Sequence, residues 1–169
     1  MKMTSAQAAK LIRQLSDELR TLQTRENNSE SFLAALGEEP ETVRPEYDYS
    51  AMQKAQSEIE RKIRKVKHAV NVFNSVTVVP ELGMTIDEVL VYLPQLTSRC
   101  SKLSRMKDAL PKTRENSGYS RGTTVIDYRY ANYDIAQAGK DYSELSAELA
   151  KVQTALDYVN NTVEFEIEV

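Results

Sequence analysis

Apolar residues recur at steps of three and four along most of this chain, and four segments carry the pattern. Residues 4–25 align Ile12, Leu15, Leu19 and Leu22 on one stripe. Residues 49–73 align Met52, Ala55, Ile59, Ile63, Val66, Val70 and Phe73, with one pair of consecutive four-residue steps that shifts the seam. A third segment starts near Thr85, where Glu88 stands at capping-box spacing, and carries Ile86, Val89, Leu93, Leu96, Cys100, Leu103 and Leu110. The fourth is the most regular: Ile135, Ala138, Tyr142, Leu145, Leu149, Val152, Leu156 and Val159. Alternation of this kind makes the narrow seam of helices packed at a shallow angle. One such helix is poorly stable alone in water, so the seams are expected to face one another. Pro94 falls inside the third segment, and because the stripe continues in phase across it, a kink is expected there rather than a break.

Two stretches change period. "SVTVV" at 75–79 is β-branched, and "TVEFEIEV" at 162–169 alternates Val163, Phe165, Ile167 and Val169 with polar residues. A lone strand leaves its amides and carbonyls unpaired, so these two are expected to pair with each other across the end of the bundle. Asn71 and Asn74 are expected to end the second helix, with Pro80 and Gly83 turning the chain into Thr85. The expected fold is therefore mainly α. Long antiparallel helices form a coiled-coil-like four-helix bundle, one domain spanning 1–169, with short β segments at its ends.

Two long connections lie between the helices. Residues 26–47 are acidic and turn-rich, with an apolar patch at Phe32, Leu33 and Leu36. Residues 111–133 hold Gly118, Gly122 and four tyrosines, and "TTVIDYRY" has the character of a hairpin arm. Long loops in compact domains are often functional, which makes these the first places to look for a binding surface.

Composition narrows the classes. At 169 residues with 41% hydrophobic and 28% charged content, the chain can bury a single core. A formal net charge of −3 argues against a general polyanion binder. The single cysteine excludes an internal disulfide. No signal-peptide-like run opens the sequence and no stretch approaches the roughly 20 apolar residues of a membrane span, so a cytoplasmic location is expected.

Candidate chemistry is sparse. Cys100 falls in phase with Leu96 and Leu103, as a small core residue would. His68, the one histidine, follows Arg64, Lys65 and Lys67, cations that repel a metal, so it is expected to be an exposed bystander. A di-metal carboxylate bundle needs two inward Glu-x-x-His motifs, and one histidine cannot supply them. No phosphate-binding or dinucleotide motif is present. The chain is expected to be non-enzymatic, with no metal and no cofactor.

Charge and tyrosine are the remaining candidates. "RKIRKVKH" at 61–68 places Arg61, Lys62, Arg64 and Lys65 together, and Arg99, Lys102 and Arg105 extend the basic character along the third helix. Two basic helices could grip nucleic-acid backbone. Alternatively these charges pair with Asp134, Asp141 and Glu148 beside the fourth seam, as flanking charges do in helical bundles. Tyr119, Tyr128, Tyr130 and Tyr133 could form a binding surface, since tyrosine offers contact area at low entropic cost, or could pack against the bundle end.

"VNVFNSVTVVPELGMTIDEVL" and "YRYANYDIAQAGKDYSELSAELAKVQTALDYVNNTVEFEIEV" together resemble the septicolysin-like family of small bacterial proteins. The likeness covers most of the chain, with Pro94 and the "PEL" insertion departing from the family pattern. It implies a helical protein without established enzymatic activity, in a family whose label derives from a bacterial cytolysin. The expected function is a structural or interaction protein that forms a homo-oligomer and presents its long end loops to a protein partner. The alternative is a nucleic-acid-associated protein using the basic second and third helices, and a membrane-active, cytolysin-like role is a further alternative.

Overall fold

The long helices bury the inner positions of their apolar seams. In the structure, a computed structural model that describes residues 1–115 and 127–168, Ile59, Val66 and Phe73 are buried on one helix and Ala138, Leu145, Val152 and Val159 on another. The alternate seam positions are mostly half-buried, as at Leu19, Ile63, Val70, Tyr142 and Leu149.

Among the described residues the chain is mainly helical, with five helices and short antiparallel strands. In order these are β1 (Lys2–Thr4), α1 (Ser5–Ser29), α2 (Pro40–Val43), α3 (Tyr49–Val76), β2 (Val78–Val79), β3 (Met84–Thr85), α4 (Ile86–Lys107), β4 (Lys112–Arg114), β5 (Tyr128–Tyr130), α5 (Ile135–Thr162) and β6 (Glu164–Glu166). The chain divides into two compact units, Met1–Thr77 with Tyr158–Val169, and Val78–Asp157.

The first unit is built on the antiparallel pair α1 and α3. Thr4 starts α1 through a capping box: its hydroxyl accepts from the Gln7 amide at 3.3 Å, and its own amide donates to Gln7 Oε1 at 3.0 Å. Asp48 caps α3 by accepting from the Ala51 amide at 2.9 Å. Met3, Ala8, Val66 and Ile167 form the core, with Leu11, Ile12, Ala69, Val70 and Phe165 packed around it.

Its sheet corrects one expectation. The C-terminal strand β6 pairs with β1, in the register Lys2↔Glu166, Met3↔Phe165, Thr4↔Glu164. It does not pair with the "SVTVV" stretch. That stretch is shorter as a strand than its composition implies, because α3 continues through Asn71 and Asn74 to Val76. Burying Phe73, stacked on Phe165 with ring centroids 4.4 Å apart, outweighs the weak helix propensity of the asparagines.

In the second unit the remaining Val78–Val79 folds back on Met84–Thr85. Gly83 makes the turn at φ 65°, a left-handed conformation that favours glycine. A hairpin this short costs little loop-closure entropy, so it wins over a distant partner. Thr85 then caps α4: its hydroxyl accepts from the Glu88 amide at 3.3 Å, and its amide donates to Glu88 Oε2 at 2.7 Å. Helix α4 remains one element through Pro94.

Helices α4 and α5 are antiparallel neighbours. Tyr92, near the start of α4, donates to Glu148, while Lys107 at its end lies 5.0 Å from the centre of the Tyr142 ring. Asp134 caps α5, its Oδ1 accepting from the amides of Ala136 and Gln137 at 2.8 and 3.1 Å. Val79, Ile86, Val89, Leu96, Cys100, Ala138, Leu145, Val152, Ala155 and Leu156 are buried and mark this unit's interior.

Replacing Ile167 by Ala should lower unfolding free energy by about 2–4 kcal/mol, since it empties space at the centre of the first core. Val163→Ala, at an exposed position next to the same strand, should change stability by less than about 0.5 kcal/mol. Urea denaturation of both variants measures the difference.

Candidate functional site

Strands β4 and β5 bring basic and aromatic side chains together beyond the end of the α4–α5 pair. Their register is Lys112↔Tyr130, Thr113↔Arg129 and Arg114↔Tyr128. Side chains alternate along each strand, so Lys112, Arg114, Tyr128 and Tyr130 share one face. The amides of Glu115 and Ala131 donate to the carbonyls of Asp127 and Pro111 at 2.9 and 3.1 Å. By alternation, the pairs holding Lys112, Arg114 and the two tyrosines are those without mutual backbone bonds, where facing side chains come closest.

Contacts follow from that placement. Lys112 Nζ lies 4.0 Å from the centre of the Tyr128 ring and 5.4 Å from that of Tyr130, within cation–π range. The tyrosines nevertheless stay 45% and 62% exposed. On the opposite face Arg129 grips Glu115 through two hydrogen bonds of 2.8 and 2.9 Å. That bond and the attraction between the charges hold the Glu115 carboxyl below its usual value and raise Arg129.

The four tyrosines singled out by sequence divide three ways. Tyr128 and Tyr130 stand together on the basic face. Tyr133 is instead a tie to the helix end, its hydroxyl donating to the Met106 carbonyl at 2.9 Å, with 38% of its surface exposed. Tyr119 lies outside the described residues.

The basic residues divide as well. Arg61, Lys62, Arg64 and Lys65 are exposed on α3, in the first unit, whereas Arg99, Lys102 and Arg105 are exposed on α4, in the second. None has an ion-pair partner within 4.0 Å among the described residues. Arg99 and Lys102 line a cleft of about 510 Å³ with Leu103, Asp141, Glu144, Leu145 and Glu148. Arg105 borders a different groove, with Thr97, Cys100, Ser101, Ser104, Tyr142 and Leu149.

The expected pairing of α4 cations with Asp134, Asp141 and Glu148 is not how these carboxylates are used. Asp134 is spent on capping α5, Asp141 accepts from Gln137 Nε2 at 2.7 Å, and Glu148 takes the Tyr92 hydroxyl. Each neutral donor sits nearer along or across the helix pair than the cations do. Nothing in the sequence singled out Tyr92, which stands one residue outside its seam.

The first unit has its own end. Residues 31–48 carry Leu33 and Leu36 essentially fully exposed, and Arg44 both lies 5.1 Å from the Phe32 ring and pairs with Glu41 at 2.7 Å. Glu26 fastens this loop to α3, accepting from Tyr47 and Gln53 at 2.7 Å and from Gln56. The bonds from Gln56, then Tyr47, hold the Glu26 carboxyl below its usual value, while Glu26 pushes the Tyr47 hydroxyl up to about 12.

Cys100 is buried and His68 exposed, and they belong to different units. Among the described residues no cluster of three or more His, Cys, Asp or Glu is arranged to hold a metal. No described helix is long and apolar enough to cross a membrane.

Neither a family model nor a curated protein matches this chain. A solved structure is similar: the crystal structure of a functionally unknown conserved protein from Corynebacterium diphtheriae. The two share 17% identity over 98% of this chain and 100% of that one, with a TM-score of 0.63. The likeness is one of fold.

Tyr47 should be among the last tyrosines to ionise, near pH 12, in an ultraviolet titration of the folded protein. Because its folded value is raised, its bond to Glu26 contributes stability below the ordinary tyrosine value of 10.0, and that contribution disappears as pH climbs through about 12. Glu26→Gln should return one tyrosine to the ordinary range, and Tyr47→Phe should remove the late step.

Proposed function

We propose that this protein is a non-enzymatic interaction protein whose helices hold binding surfaces at their ends and present them to a protein partner. The observation that supports this reading is the exposed pair Tyr128 and Tyr130 on one face of β4–β5 with Lys112 between them. Aromatic side chains on a short two-stranded frame offer large contact area with little conformational entropy to lose. The reading includes a coiled-coil-like four-helix bundle, a homo-oligomer, a cytoplasmic location and kinship with the septicolysin-like proteins.

A second reading rests on a separate observation. Arg61, Lys62, Arg64 and Lys65 lie exposed within two turns of α3 without ion-pair partners among the described residues. Such a helix face can track nucleic-acid backbone by releasing counterions. Burial of aromatic anchors gives an interface more free energy than exposed charges do, so the protein-partner reading stands first.

The double variant Tyr128→Ser/Tyr130→Ser should lower affinity for a purified partner by roughly tenfold or more while leaving the melting temperature unchanged. Unchanged affinity for every partner retrieved with the wild-type protein defeats the proposal. Fluorescence anisotropy with mixed RNA and DNA at about 50 mM salt tests the second reading. Binding there, abolished by Arg61→Glu, Lys62→Glu and Arg64→Glu together, would favour it, and absence of binding would remove it.

A further inference from the structure

The cleft along α4 and α5 is divided by charge. Its α4 rim is positive, with Arg99 and Lys102 one turn apart, and its α5 rim is negative, with Asp141, Glu144 and Glu148 on successive turns. Leu103, half-buried, and Leu145, buried, form its floor. Antiparallel helices carrying opposite rims would ordinarily close such a cleft with ion pairs. Here neither cation has an ion-pair partner within 4.0 Å among the described residues. Asp141 and Glu148 are satisfied by neutral donors.

A surface with one rim of each sign is complementary to itself in one two-fold arrangement. An axis running along the helices lays each α4 over the α5 of the other copy, antiparallel, and puts each basic rim on an acidic one. An axis crossing the helices lays α4 on α4, setting like charges together. Closed pairs of identical chains use the same patch on both copies, so this distinction selects a single geometry. Charge complementarity sets register and excludes the wrong pairing even where each exposed pair adds little affinity.

We infer that the α4–α5 cleft is a self-association surface, in which two copies pair about a two-fold axis parallel to their helices and form four antiparallel helices between them. The inference deepens the homo-oligomer part of the proposed function but uses a surface separate from Tyr128 and Tyr130. In the paired state Arg99 and Lys102 of one copy face Asp141, Glu144 and Glu148 of the other, twice by symmetry. Leu103 of each copy meets Leu145 of the other beneath the charges, supplying the apolar contact that rim charges alone do not.

Light scattering on the purified protein from about 10 to 200 μM tests the association, in a range where weak symmetric dimers form. The wild type should have twice the chain mass of 19.2 kDa. Arg99→Glu/Lys102→Glu makes both rims acidic, and Asp141→Lys/Glu144→Lys makes the second rim basic. Each double variant alone should dissociate at least roughly tenfold more readily. An equimolar mixture should recover the double mass, because acidic rims of one variant then meet basic rims of the other. A wild type of single-chain mass, or folded variants that keep the double mass alone, overturns the inference.

Carbodiimide coupling of mixed isotope-labelled and unlabelled wild type gives an independent reading that requires no variant. Peptides joining Lys102 of one chain to Asp141 or Glu144 of a differently labelled chain are expected. Coupling confined to same-label pairs overturns the proposal. Tyr128→Ser/Tyr130→Ser should keep the double mass, so loss of partner binding and loss of self-association are read separately.

Discussion

Burial of a narrow apolar stripe on each long helix is the constraint on which this architecture depends. Ile59, Val66 and Phe73 on α3 and Ala138, Leu145, Val152, Leu156 and Val159 on α5 leave water almost completely, while Ile63, Val70, Tyr142 and Leu149 remain partly wet. A helix held along one edge gains less apolar burial per residue than one surrounded by neighbours, so its ends matter more. Side-chain hydrogen bonds tie those ends down. Thr4 and Thr85 close capping boxes, Asp48 and Asp134 cap the other long helices, and Glu26 and Tyr133 fasten the loops to helix ends.

That distribution shapes the functional reading. Positions along the seams are held by packing and tolerate little change, whereas the ends carry exposed Leu33, Leu36, Tyr128 and Tyr130. The flanks of the seams form a third kind of surface. Asp141 and Glu148 are satisfied by Gln137 and Tyr92, and the cations of the α4–α5 cleft have no ion-pair partner within 4.0 Å among the described residues. The strands β4 and β5 and the cleft therefore offer two surfaces of different chemistry, one aromatic and basic, the other divided in sign.

Legibility in the sequence tracked how local each interaction is. The Thr85–Glu88 capping box and the in-phase passage through Pro94 could be read from spacing, since both involve residues within a turn or two. Phe73, Val66 and Cys100 could be placed inside by phase alone. The end of α3 could not. Asn71 and Asn74 favour termination locally, but the stacking of Phe73 on Phe165, far along the chain, keeps the helix intact to Val76. Pairing of β6 with Lys2–Thr4 was equally hidden, because three residues at the start of a chain show too little alternation to announce a strand.

The sequence by itself determined which residues of the long helices turn inward, because a helix converts spacing into a face without reference to anything beyond it. It determined the helical class and the Thr85 cap by the same rule. Leu110, placed on the third stripe by spacing, lies past the end of α4 and is exposed. Only the tertiary structure decided which strand takes which partner, which tyrosines stand free and which carboxylates reach a cation. Those outcomes are competitions between groups distant in sequence, and they are settled by loop-closure entropy and by whichever donor lies closest once the helices have docked.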